Sequence, residues 1–139
     1  MARSTARAAA MQLIYARMAG GEGDERTLAE LIAPQPDLDA GDRRYLADIV
    51  EGVWRDRAEL DMQIGALSRD WPVARMAWVD LAILRLAAYE LANREDVPPA
   101  VSINEAVELT HTFSTGESGS FVNGILGSMY RARAKEAAE

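Results

Sequence analysis

The sequence predicts an all-α fold, and three observations carry that prediction. Hydrophobic residues fill 49% of the 139 positions but aromatics only 6%, with Ala and Leu dominant, a mixture suited to packed helices rather than sheets. Apolar residues recur at helical spacing between clusters of Pro, Gly and Ser. No alternating stretch is long enough for a strand, and there is no internal repeat. Residues 1–139 are expected to form a single domain, long enough for a real core.

Residues 2–19 read as the first helix, an Ala/Leu/Met-rich run closed by Gly20-Gly21. On a helical wheel Arg3, Arg7 and Arg17 share an arc of about 80° with Ala10 and Ile14, and Tyr15 lies roughly 80° from Arg7. The plain reading of this stripe is a solvated face. A turn follows, then a short helix over residues 25–33 and a linker, Pro34 to Asp37. Asp37 or Asp39 can cap the next helix. From Ala40 to Leu67, apolar residues at Leu46, Ile49, Val53, Leu60, Ile64 and Leu67 mark one helix face. Gly52, Gly65 and Arg57 interrupt it, so two helices or a bent one are expected. Its acids, Asp42, Asp48, Glu51, Asp56, Glu59 and Asp61, read as a solvated exterior.

Trp71-Pro72 marks another start, since proline's missing amide costs nothing in a first turn. Trp78 to Asn93 is apolar nearly all round, the pattern of a central buried helix. Its charged members Asp80, Arg85 and Glu90 must each lie at an edge or find a partner, because an unpaired buried charge costs several kcal/mol. Val97-Pro98-Pro99 stops that helix. Ser102-Ile103-Asn104-Glu105 has the form of a capping box, with Val101 able to pack on Ala106. The helix it opens runs to Phe113, a Gly/Ser loop covers Ser114 to Ser120, and Phe121 heads a last helix over about 118–136. Arg131, Arg133 and Lys135 lie near that helix's C-terminus, where the dipole favours cations.

The net charge of −7 opposes indiscriminate nucleic-acid binding, whose affinity comes mostly from phosphate neutralisation. The charge is unevenly placed. Residues 1–21 carry three arginines and no acid, whereas residues 22–70 hold 13 acids against 6 bases. The first helix is therefore locally positive. There are no cysteines, which excludes disulfides and thiolate chemistry and suits a reducing compartment. No apolar run reaches the ~18 residues of a membrane span and no signal-peptide core is present, so a cytoplasmic protein is expected. Glu108-x-x-His111 has the spacing of half a di-metal site, but such sites need the motif twice. The lone histidine belongs to no nucleophile motif, and the Thr115–Ser120 loop lacks the ending of a P-loop. The chain is expected to be no enzyme and to hold no metal or cofactor.

Taken in order, AILRLAAYEL (82–91), DVP (96–98), SINEAVEL (102–109) and FVNGIL (121–126) resemble the NusB family of bacterial transcription antitermination factors. RAAAMQLIY (7–15) is similar to that family's arginine-rich opening. The resemblance is strong from about Arg75 to Leu126 and loose over residues 22–70. It implies a seven-helix fold of two packed helical subdomains. It also implies binding of boxA-type single-stranded RNA in ribosomal RNA leaders, together with NusE, a ribosomal small-subunit protein, alongside other Nus factors in the elongation complex. Carried over residue by residue, it points to Arg3, Arg7, Ser118, Ser120 and Phe121 for RNA, and to Tyr15 and Asp80 for NusE. Arg85 matches an arginine of either the RNA face or an internal ion pair. Arg3 and Arg7 must then approach Phe121 from the other end of the chain.

Chemistry fits that picture. A local arginine patch on an acidic protein attracts phosphate without general stickiness, and an aromatic face for one unstacked base contributes ~1–3 kcal/mol. Ser4 and Thr5 stand where the family often has bases, and Ser120 where it often has a lysine, which points to greater dependence on the partner protein. The competing reading is a stand-alone protein-interaction module of the same fold. Members of such a family can self-associate, so a homodimer that hides the arginine face stays open beside a monomer.

Overall fold

The computed structural model of the protein describes residues 2–20 and 38–138. Among them are five α-helices: α1 (Ala2–Met18), α2 (Ala40–Leu67), α3 (Trp78–Asn93), α4 (Pro99–Phe113) and α5 (Gly116–Ala138). A single 3-10 turn, Val73–Arg75, precedes α3. The described residues contain no strand. The all-α expectation holds, but five helices are present among these residues rather than seven. The helix expected at 25–33 and the linker at 34–37 lie outside them. No helix among the described residues is long and apolar enough to cross a membrane.

α3 is the centre of the bundle. Every residue from Asp80 to Glu90 is buried, as its all-round apolar pattern requires. α1 and α2 run alongside it. The pairs Arg7–Glu90 and Tyr15–Trp78 place α1 antiparallel to α3, and Asp48–Tyr89 with Asp61–Arg85 place α2 antiparallel to it as well. α4 and α5 form a hairpin on the remaining side, and the far end of α5 reaches α2 through Arg133 and Gln63. The core is mostly Leu, Ile, Val and Ala from all five helices, each large side chain contributing about 1.5–3 kcal/mol by leaving water.

Local chemistry sets the ends. α1 closes at Gly20, whose φ of 82° lies in the left-handed region that terminates helices. Asp39 caps α2 by accepting from the Asp42 amide at 2.8 Å. α2 is one unbroken helix, and Gly52 has a packing reason: a Cβ there would overlap the Tyr89 ring.

Two expectations are corrected. Ser102 caps nothing: α4 starts at Pro99, because the fixed φ of two successive prolines already suits a first turn. Ser102 lies a turn inside, fully buried, its hydroxyl without a hydrogen-bond partner, while Val101 is 41% exposed and staples nothing. The acids of α2 are a solvated face only in part: Glu51 and Glu59 are exposed as expected, whereas Asp48, Asp56 and Asp61 are half-buried and Asp42 is buried. Asp42 pairs with Arg3, Asp48 with Arg94, Glu51 with Arg17 and Asp61 with Arg85. These carboxylates stitch α2 to its neighbours.

Candidate nucleic-acid interface

The start of α5 is held by a carboxylate. The connection after α4 is only Ser114-Thr115, so Gly116 to Ser120, expected as loop, is already helical. Asp80, in the first turn of α3 and 8% exposed, accepts from the hydroxyls of Ser114 at 2.7 Å and Ser118 at 2.8 Å. The Ser118 amide turns back to the Thr115 carbonyl at 3.1 Å. A buried negative charge at a helix N-terminus is favourable on both counts, dipole and hydrogen bonds. Asp80 and Ser118, expected to face different partners, are thus bonded to each other. Their neighbours Ser120, exposed, and Phe121, half-buried, are presented from the next turn. Phe121 lines a cleft of about 760 Å³ together with Trp71, Met76, Asp80, Ser118 and Ile125.

The start of α1 carries the cations. Arg3 donates to Asp42 at 2.9 Å, and its guanidinium lies 4.6 Å from the centre of the Tyr45 ring; its side chain remains 39% exposed. Arg7 is different. It is 2% exposed and donates through Nε and Nη2 to both oxygens of Glu90, at 3.0 and 2.9 Å. Glu105 approaches its Nη1 at 3.5 Å and also accepts from Ser4 at 2.7 Å. Burial works against the Arg7 charge, but the Glu90 hydrogen bond and the surrounding negative groups outweigh it, so its pKa is raised. The stripe read as solvated is therefore dry at Arg7. Arg94 completes a set of three arginines around Tyr45.

The other expected residues are placed as follows. Arg85 is buried and bidentate on Asp61, at 2.8 and 2.6 Å, so of its two readings the internal ion pair is the one observed. Tyr15 is 38% exposed and packs edge-on against Trp78, ring centres 6.5 Å apart. Arg3 and Arg7 gather at Tyr45 and do not line the Phe121 cleft. The two ends are bridged by α4: Glu105 holds Ser4 and Arg7, and its neighbour Asn104 shares a second cleft with Ser120. Arg43 and Arg44 were missed from sequence. Both are exposed and unpaired among the described residues, next to the Asp42 and Tyr45 that hold Arg3. The signal was the Arg-Arg pair just after a cap, masked by the acids around it.

Comparison with known proteins gives a consistent answer. The model of the NusB family matches residues 4–131. The transcription antitermination protein NusB of Acetivibrio thermocellus is 44% identical over 133 residues, covering 96% of this chain and 91% of the relative. NusB of T. maritima superposes with a TM-score of 0.85 at 29% identity, covering 94% of this chain and 92% of that one. The fold is also shared, at 24% identity and a TM-score of 0.80, with a chain in a crystal structure of antitermination factors NusB and NusE in complex with dsRNA; 94% of this chain and 96% of that one are covered. With a family model spanning nearly all of it and relatives matched over almost their full length, this chain belongs to the NusB family of transcription antitermination proteins.

Proposed function

We propose that the protein binds boxA-type single-stranded RNA of ribosomal RNA leaders together with NusE, as an antitermination factor working with other Nus factors in the cytoplasm and without enzymatic activity. The observation that carries this reading is the start of α5, where Asp80 anchors Ser114 and Ser118, Ser120 is exposed, and Phe121, half-buried against the core, lines the adjoining cleft. Family membership and the NusB–NusE complex with dsRNA support it. In this reading Phe121 stacks on one unpaired base, Ser120 and Ser118 flank it, and Arg3, Arg43 and Arg44 attract phosphate. Arg7 and Arg85 position the helices that carry these groups, and the exposed Tyr15–Trp78 pair with the Asp80 corner faces NusE.

The seven-helix, two-subdomain arrangement belongs to the same reading, with residues 1–139 acting as one domain. A second reading, a protein-interaction module with weak RNA binding of its own, draws on one observation: two of the expected arginines, Arg7 and Arg85, are committed to internal carboxylates. One titration separates the two. Labelled boxA RNA, single-stranded and as duplex, is titrated with the chain, with and without NusE. The RNA reading expects salt-sensitive binding of the single strand, tightened by NusE. NusE pairing with no RNA bound at low salt would leave the interaction module.

A further inference from the structure

We propose that the cleft between α4 and α5 receives one unstacked nucleobase that carries an exocyclic amino group, and so contributes sequence preference to the RNA site. This rests on the RNA reading above. Asn104, Glu108 and His111 present one face of α4, at the i, i+4, i+7 spacing that aligns side chains along a helix. Across from them, Gly119, Ser120 and Asn123 present one face of α5. Together they border a cleft of about 520 Å³, within the range of small-ligand sites. Gly119, buried beneath it, lets the two helices approach closely. A Cβ there would come 3.2 Å from Thr110 Oγ1 and 3.3 Å from His111 Nε2, pressing on the imidazole that forms one wall.

The lining chemistry selects a base rather than a phosphate. No lysine or arginine borders this cleft and a carboxylate, Glu108, does. Phosphate contacts position a nucleic acid, whereas contacts to base edges specify it. Asn104 and Asn123 are exposed, and neither carboxamide hydrogen-bonds to another described residue. Each offers a donor and an acceptor side by side, the pattern that matches a base edge. Neither serves its helix, since asparagine is a poorer helix former than alanine. Glu108 only accepts, so it favours an amino group over the carbonyl that uracil offers. Ser120 borders both this cleft and that of Phe121, so a base seated here adjoins one stacked on the aromatic ring.

The test uses short boxA-type single-stranded oligoribonucleotides in which each adenosine, cytidine and guanosine is replaced in turn by uridine. They are titrated with the full chain and NusE. The wild-type protein should lose about 5- to 150-fold in affinity at one position. Asn104→Ala/Asn123→Ala should bind the parent RNA more weakly and show no penalty at that position, with an unchanged salt slope. Glu108→Gln should shrink the same penalty. Alanine favours the helix at both exposed positions, and circular dichroism checks the fold. A double variant that keeps the wild-type position-by-position preference overturns the proposal while leaving RNA binding standing. A wild-type protein that binds no RNA at low salt overturns both.

Discussion

Arg7 and Glu90, 83 positions apart in the chain, form a two-bond ion pair in the dry centre of the bundle, at 2% and 0% exposure. Removing one partner leaves a buried charge without compensation, so Glu90→Met should cost about 3–5 kcal/mol, and Arg7→Met a similar amount. The double replacement Arg7→Met/Glu90→Met removes both charges and should cost far less than the sum. Urea unfolding of the four proteins gives the coupling; additive costs would mean the pair is not the unit described.

Ser102 separates two accounts of how α4 begins. Its hydroxyl is fully buried without a partner, so Ser102→Ala should leave stability unchanged or raise it by up to ~1 kcal/mol, by removing an unsatisfied polar group. Were Ser102 a helix cap, the same change would lose about 1 kcal/mol. The thermal midpoint distinguishes the two by sign.

Tyr45 should make stability fall at high pH. Burial first, then the charge of Glu90, raises its phenol above the ordinary range, against the opposing influence of Arg7. Below about pH 10, the unfolded value, the proton is bound in both states and the full stability is present. Above it the unfolded chain releases a proton that the folded one retains, so stability declines by about 1.4 kcal/mol per pH unit until the folded pKa is reached. Tyr45→Phe should flatten that decline by this amount in unfolding titrations from pH 9 to 11 (roughly one unit either side of the reference value). Tyr89, also raised by burial and by its bond to Asp48, retains its own share.

Arg43 and Arg44 test the electrostatic half of the interface. If each neutralises one phosphate of a single strand, Arg43→Ala/Arg44→Ala should reduce the slope of log K against log salt by about 1.4. The variant should weaken binding about equally for all sequences. An unchanged slope would place the RNA elsewhere.

Much of this was legible in the sequence where physics is local. The apolar period gave α1, α2 and the buried α3; Gly20 and Pro98-Pro99 gave their limits. The expectation that Asp80, Arg85 and Glu90 need partners was met by Ser114 and Ser118, by Asp61 and by Arg7. Which partners they would be was not legible, because a pairing across 24 to 83 positions leaves no periodic trace. The same blindness made Arg7 look solvated and hid the partners of Asp42, Asp48 and Asp61. At Ser102 a recognisable four-residue pattern lost to the prolines before it. Asn104, His111 and Asn123 gave no signal as a group, since two helices had to meet before their faces became one cleft.

The central claim is that the first turns of α5 present a base-stacking platform, and Phe121→Ala tests it most directly. Binding of labelled boxA single strand, measured with NusE present at low and moderate salt, should weaken by about 5- to 150-fold, the equivalent of ~1–3 kcal/mol for one stacked base. Helicity and NusE pairing should be retained. Wild-type affinity in the variant, or loss of the fold in place of loss of RNA, would contradict the account and return Phe121 to the core.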